Sequence, residues 1–256
     1  MNEQEKFFWE TCIEELQEVY EYIREKDENK ANIMGELEFY NKSLGMLEWV
    51  FNNNLIEARK RFYIASMARE WYYMVFPTGK YEFSSMEVRT YAFESLFYAV
   101  LSGNKEWAIH MAELFGSYKE LETQEHLANE LLGYGLKYVI LDDVEQASEY
   151  IQRIEASKNK KGMKQYSSGY ARAYRGIVER NAEEFNAGLL FMLNNHAARM
   201  KRDGRGFDGR FAYDSVALAM IAKDRGIDIT VEHELLPMSY LEKTNIDYSE
   251  IKLFEE

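Results

Sequence analysis

Apolar side chains recur at helical spacing along most of this chain. In residues 3–26 one falls at every third or fourth position, from Trp9 through Ile13 and Leu16 to Ile23, and glutamates fill the positions between. This spacing places the apolar residues on one face of a helix. The same pattern predicts further helices over residues 30–52, 54–76, 84–101, 104–115, 123–141, 142–154, 166–179, 181–202 and 206–225. Only residues 227–231 are predicted to be extended, so the predicted fold class is all-α.

The stretch of residues 204–226 has the composition of a central element. Between Phe211 and Ala222 only Asp214 and Ser215 are polar, and Gly226 is placed to end the helix. A helix that is apolar nearly all round is expected to be buried. The glycines before it spell the Gly-x-Gly-x-x-Gly pattern of dinucleotide-binding proteins, but that motif follows a strand and here a predicted helix precedes it. We therefore interpret these glycines as a tight corner between two helices.

Three successive hairpins are predicted to begin their second helices at a regular interval. Asn104, Asp142 and Asn181 are each placed to cap a helix start, and they lie 38 and 39 residues apart. This period is typical of stacked antiparallel helix hairpins, as in tetratricopeptide and HEAT arrays. We predict one solenoid-like domain over residues 1–256, with N-terminal helices in 1–76 and a hairpin array in 84–256. An irregular helical domain with hairpins of similar length is the alternative.

Composition and charge exclude several classes of protein. The chain is 46% apolar with two prolines, which suits long helices, and its formal charge of −13 argues against binding nucleic acid or an anionic membrane. Cys12 is the only cysteine, so neither a disulfide nor a thiolate metal cluster is expected. The N-terminus lacks a signal-peptide pattern, and no apolar stretch is long enough to cross a membrane. We therefore expect a cytoplasmic protein.

The charges are distributed unevenly along the chain. Residues 1–38 carry twelve acidic and four basic side chains and residues 104–157 carry eleven and four, whereas residues 158–205 carry four and eleven. Two interpretations of this basic segment stay open. Its side chains either pair with acidic neighbours inside the fold or bind an anion.

No pattern typical of a catalytic or metal site occurs in the sequence. The four histidines are not at ligand spacing, Cys12 lies among glutamates that would raise its thiol pKa, and phosphate-binding and serine-hydrolase motifs are absent. We expect no cofactor, no metal and no catalytic residue. Asp214 needs a partner, because it lies in the apolar helix, and Arg210 stands one turn before it. We predict a structural ion pair with Arg210, Arg172 or Arg175, and a catalytic carboxylate is the alternative.

The C-terminal half resembles a family of bacterial immunity proteins. The resemblance rests on the order of three segments, Phe191-Met-Leu-Asn-Asn-His196, Phe211-Ala-Tyr-Asp-Ser-Val-Ala-Leu-Ala219 and Ala222-Lys-Asp-Arg-Gly-Ile227, followed by a turn with Pro237. In this order they are similar to the immunity protein 49 family of polymorphic-toxin systems. The resemblance implies an all-helical antitoxin without enzymatic activity that binds and blocks a cognate toxin, often a nuclease.

An acidic antitoxin suits a basic toxin, because opposite charges speed association. The capped helix starts of a hairpin array line up along one edge, and we expect that edge to dock the toxin. The residues proposed for this contact are Asp142, Asp143, Glu145 and Glu149. The first helix is the rival surface, through Glu14, Glu18 and Glu21. Two other functions stay open: a tetratricopeptide-like scaffold or regulator that binds a peptide or protein, and a small helical enzyme that uses Asp214 or a histidine.

Overall fold

The computed structural model describes residues 1–24, 30–89, 92–121, 127–160, 163, 167–203 and 207–253. Its ten α-helices in these ranges are α1 (Glu3–Arg24), α2 (Lys30–Asn52), α3 (Leu55–Val75), α4 (Glu94–Leu101), α5 (Lys105–Leu114), α6 (Leu127–Leu141), α7 (Val144–Ala156), α8 (Ser167–Val178), α9 (Ala182–Asp203) and α10 (Tyr213–Asp224). No strand occurs in the described ranges, which confirms the predicted fold class. The predicted helix start at residue 123 lies outside them.

One predicted helix, over residues 84–101, is divided in two. Ser84 does cap a helical turn, since its hydroxyl accepts a hydrogen bond from the Met86 amide at 3.2 Å. Only a four-residue 3-10 helix, Ser85–Val88, follows it, because the backbone at Arg89 is extended. α4 therefore begins later than predicted, at Glu94.

The hairpin turns share one backbone arrangement. After α2, α4, α6 and α8, a residue with positive φ is followed by an Asn or Asp whose side chain accepts from an amide of the next helix. The positive-φ residues are Asn53, Gly103, Asp142 and Arg180, and the capping residues are Asn54, Asn104, Asp143 and Asn181. Left-handed residues of this kind end helices, and the caps satisfy amides that have no partner within the helix. The predicted caps Asn104 and Asn181 are confirmed, whereas the third cap is Asp143 and not Asp142.

Each helix packs against the next along the chain, from α1 to α10. α10 departs from this order, because it also packs against α4 and α8. The last helix therefore closes the array on itself, unlike the repeats of an open solenoid, which contact only their neighbours. The buried apolar side chains form one continuous cluster that runs from Cys12 to Leu241.

α10 is the buried helix that the sequence predicts. Half of its residues are buried, namely Ser215, Val216, Ala217, Leu218, Ala219 and Ala222. Phe211 and Ala212 before it are fully buried as well, and the Phe211 ring stacks on Phe62 of α3 with centroids 6.1 Å apart. The helix is shorter than predicted, since a 3-10 helix, Phe207–Arg210, precedes it.

α1 buries a face that is rotated slightly from the predicted one. Cys12, Leu16, Val19 and Ile23 are buried, whereas Ile13 is 38% exposed. Positions 12, 16, 19 and 23 also keep the spacing of three and four residues, so the periodicity alone did not distinguish the two faces.

α8 and α9 approach each other closely enough that their backbones are in contact. A Cβ atom added at Gly176 would lie 2.3 Å from the amide nitrogen of Phe185, and one at Gly188 would lie 2.4 Å from that of Ala173. These positions have no room for a side chain, so glycine is required by the close approach of the two helices. The contact brings Tyr170 of α8 to the same cavity as residues of α9.

The C-terminal segment is fastened to α3 and α4. Arg59, only 3% exposed, donates hydrogen bonds to the carbonyl oxygens of Tyr240 at 2.9 Å and Glu242 at 2.7 Å, and to the Thr244 hydroxyl. The Tyr240 hydroxyl donates to the carbonyl oxygen of Leu101 at 3.0 Å. A buried guanidinium needs such acceptors to replace its lost hydration, so these bonds fix the path of the segment.

Shortening Leu218 should therefore destabilise the protein strongly. Leu218 is fully buried at the centre of α10, and Leu218→Ala should lower the free energy of unfolding by about 2–5 kcal/mol through the cavity it leaves. Urea denaturation measures this change, with Lys223→Ala, an exposed position of the same helix, as the control. Equal stability of the two variants would contradict the central position of α10.

Candidate functional site

The four acidic residues predicted to dock a partner lie together at the start of α7, but they do different things. Asp142 and Asp143 form the turn between α6 and α7, and Glu145 and Glu149 lie one helical turn apart on the exposed side of α7. We call the exposed start of α7, residues 143–149, the α7 edge. Only the unpaired carboxylates of this edge are free to contact a partner.

Asp142 is committed to contacts inside the protein. Its carboxylate accepts from Arg180 at 3.0 Å, and Arg225 lies 3.1 Å from it. The Arg225 side chain is only 10% exposed and also donates to the carbonyl oxygen of Val139. Burial lowers the pKa of the Arg225 guanidinium, and the nearby Asp142 carboxylate opposes that effect. Asp142 therefore joins the ends of α6, α8 and α10.

The remaining acidic residues leave two carboxylates without an internal partner. The Asp143 side chain accepts from the amide of Gln146 at 3.1 Å and so caps α7. Glu145 and Glu149 are exposed and form no ion pair with any residue in the described ranges. Val144, which directly precedes Glu145, is 53% exposed. The α7 edge thus combines two free negative charges with an apolar side chain.

The first helix presents a longer acidic stripe. Its outward face carries Glu3, Glu10, Glu14, Glu18 and Glu21. Among these only Glu10 has a described ion-pair partner, Lys6, at 3.6 Å. Phe7 lies on the same face and is 71% exposed. Phe7 is not among the residues predicted for docking, although its position opposite the buried residues of α1 can be read from the sequence.

The basic segment is compensated within the fold at three of its arginines. Arg172 pairs with Glu184 at 3.0 Å, Arg175 with Glu155 at 2.6 Å, and Arg180 with Asp142. Hydrogen bonds from Arg172 hold the pKa of the Glu184 carboxyl below its usual value. Internal pairing therefore accounts for these arginines but not for Arg199, which has no ion-pair partner in the described ranges.

The predicted ion pair between Asp214 and Arg210 is wrong. Arg210 instead contacts the buried carboxylate of Glu5 at 2.8 Å and lies over the ring of Phe51. The reason is local: α10 starts only at Tyr213, so the two residues are not one turn apart on a common helix. Arg172 and Arg175, the other expected partners, pair elsewhere.

Asp214 is held by neutral hydrogen-bond donors. The Tyr170 hydroxyl donates to its Oδ2 atom at 2.5 Å, and the amide of Ser215 donates to Oδ1 at 2.7 Å. Burial and the adjacent Asp214 carboxylate raise the pKa of Tyr170 well above its usual value, so the phenol stays protonated. The aspartate is half-buried and lines a cavity between α8, α9 and α10.

Cys12 and the glycine pattern are two further features that the sequence singled out. Burial, with a smaller effect from Glu15, raises the pKa of Cys12 to about 12, so its thiol is protonated at neutral pH. The described ranges hold no group of three or more His, Cys, Asp or Glu side chains placed to bind a metal. The glycine pattern follows α9 and not a strand, although Gly204 and Gly206 lie outside the described residues. None of the described helices is long and apolar enough to span a membrane.

Removing the Asp142 carboxylate should weaken the fold, whereas removing an exposed one on α7 should not. Asp142→Ala leaves Arg225 buried without its carboxylate and should cost about 1–3 kcal/mol of unfolding free energy. Glu149→Ala removes an unpaired surface charge and should change stability by less than about 0.5 kcal/mol. If urea denaturation gives both variants the same midpoint, the ion pairs of Asp142 do not stabilise the protein.

Asp214 and Tyr170 should be energetically coupled. Asp214→Ala leaves the buried Tyr170 hydroxyl without this acceptor, at a cost of about 1–3 kcal/mol, and Tyr170→Phe removes the donor. The double variant should lose less stability than the sum of the single ones. A double-mutant cycle measured by urea denaturation checks this, and strict additivity would contradict the hydrogen bond.

Comparison with known proteins agrees with the resemblance read from the sequence. The sequence model of immunity protein 49 matches residues 94–240, a span that runs from the start of α4 through α10 and includes the α7 edge and Asp214. No curated protein matches the chain, and no solved structure matches it. The match covers more than half of the chain and includes all three segments that carry the resemblance. The protein belongs to the immunity protein 49 family.

Proposed function

We propose that this protein neutralises a cognate bacterial toxin by binding it, with the α7 edge facing a basic surface of the toxin. Membership of the immunity protein 49 family is the observation that carries the proposal. The formal charge of −13 supports it, because a toxin that cuts nucleic acid needs a basic surface for phosphates. A nuclease would find its substrate in the cytoplasm, so the complex is expected to form there. The proposed activity is binding and not catalysis.

Two observations favour the α7 edge over the first helix as the docking surface. The family match includes α7 and begins beyond α1. The same first turns of α7 also carry the exposed Val144, next to Glu145, so a partner could gain apolar contact together with the two unpaired charges of Glu145 and Glu149. Apolar contact at the centre of an interface, surrounded by polar groups, is the usual arrangement of protein complexes.

A growth assay tests the function itself. The partner is first isolated from native cells with the tagged full-length protein and identified by mass spectrometry. Expression of that partner alone should stop bacterial growth, and co-expression of this protein should restore it. A partner that is harmless when expressed alone would contradict the immunity function and favour a scaffold or regulator.

Charge reversal on the α7 edge should slow association with the toxin. Glu145→Lys with Glu149→Lys should lower the association rate constant by about tenfold at low ionic strength, because opposite fields steer the encounter. Asp142 and Asp143 are left unchanged, since they are held in the ion pairs and in the helix cap. Surface plasmon resonance at several salt concentrations measures the rate, and the effect should shrink as salt screens the charges.

Glu14→Lys with Glu18→Lys is the matched control, because it changes the net charge by the same amount on the rival surface of α1. This variant should associate at nearly the parent rate. The reverse result, with a slow α1 variant and an unaffected α7 variant, would move the docking surface to the first helix. Circular dichroism establishes that both variants keep the helical fold.

A further inference from the structure

We propose that the cavity beside Asp214 binds a small zwitterion of the α-amino-acid class, with its carboxylate on Arg199 and its ammonium group on Asp214. Two adjoining cavities, of about 410 and 360 Å³, share Tyr170, His196, Arg199 and Asp214 as lining residues. We call them together the Asp214 cavity. It is open to solvent and lined by residues of α2, α4, α6, α8, α9 and α10, and it shares no residue with the α7 edge.

Two opposite charges line this cavity without pairing. Arg199 and Asp214 line both parts of it, yet neither forms an ion pair with any residue in the described ranges. Both are half-buried. Removing unpaired charges from water is unfavourable, and elsewhere in this protein the half-buried Arg175 pairs with Glu155. A ligand that carries both signs would satisfy both groups at once.

Charges of both signs line the whole cavity. The smaller part has two cations, Lys42 and Arg199, and two carboxylates, Glu94 and Asp214, and Arg202 adds a third basic side chain in the larger part. A simple anion would be repelled by the carboxylates and a simple cation by the basic groups. A ligand with two oppositely charged ends can contact groups of both signs.

Neutral hydrogen-bond donors fix the carboxylates of Glu94 and Asp214 in place. Tyr98 donates to Glu94 at 3.1 Å, Tyr213 also hydrogen-bonds Glu94, and Tyr170 donates to Asp214. Burial, followed by the nearby carboxylates, raises the pKa values of these three tyrosines, so they remain protonated. Hydroxyl donors orient a carboxylate without neutralising it, which leaves its charge for the ligand.

The volume and the apolar lining of the cavity suit a small ligand with an apolar side chain. Each part of the cavity lies within the range of about 300–1,000 Å³ that small-molecule sites occupy. Met46, Phe97, Leu132 and Met200 contribute apolar surface to the smaller part. Amino acids with an apolar side chain therefore match the lining better than acidic or basic ones.

Binding of L-leucine, L-methionine and L-phenylalanine to the full-length protein tests the proposal. Each is titrated in a thermal-shift assay and by isothermal titration calorimetry, and at least one should raise the melting temperature in a saturable way at millimolar concentration. For leucine, 4-methylpentanoate lacks the ammonium group and 3-methylbutylamine lacks the carboxylate. Neither analogue should shift the melting temperature. A response to either analogue equal to that of leucine, or no response to any of the three amino acids, would overturn the proposal.

A variant at Arg199 separates this site from non-specific binding. Arg199→Gln should weaken the binding of the responding amino acid by about tenfold or more, since it removes a charge-assisted hydrogen bond. Arg199 has no described ion-pair partner, so the variant is expected to fold. Arg24→Gln, at the exposed end of α1, is the matched control and should bind as the parent does. Unchanged affinity of the folded Arg199 variant would reject the assignment.

Discussion

The arrangement of the helices depends on turns in which a left-handed residue precedes a capping Asn or Asp. Asp142 and Arg180 occupy this position although each carries a Cβ atom, which costs about 1–2 kcal/mol relative to the right-handed region. These two residues also pair with each other at 3.0 Å. This contact ties the α6–α7 turn to the α8–α9 turn, and Arg225 brings the end of α10 to the same carboxylate.

This use of charge inside the fold decides which surface charges are free. The basic segment and its acidic neighbours neutralise each other through the ion pairs of Arg172, Arg175 and Arg180. Among the carboxylates on outward faces, those of Glu145, Glu149 and several glutamates of α1 have no ion-pair partner in the described ranges. An acidic composition thus says little about docking until the paired carboxylates have been separated from the free ones.

Local signals in the sequence were sufficient for the helices, and insufficient for contacts between them. The spacing of apolar residues gave the all-α fold, and Asn104 and Asn181 gave two caps, because both depend on neighbouring residues alone. Two adjacent aspartates made the third cap ambiguous by one position. The tight α8–α9 contact at Gly176 and Gly188 depends on residues of two different helices, and no sequence pattern near either glycine predicts it.

Contacts between helices, which the sequence does not predict, explain why Asp214 was assigned the wrong partner. They also explain why charges of both signs line the Asp214 cavity. A helix predicted from residue 206 onward places Arg210 one turn before Asp214. In the structure α10 starts only at Tyr213, so Asp214 lies in its first turn. Glu94 likewise lies in the first turn of α4, against which α10 packs. Carboxylates at helix starts are stabilised by the helix dipole and by amide groups, so both can stay charged without an ion-pair partner from the protein. Arg199 is consequently left unpaired beside them, and charges of both signs face one cavity.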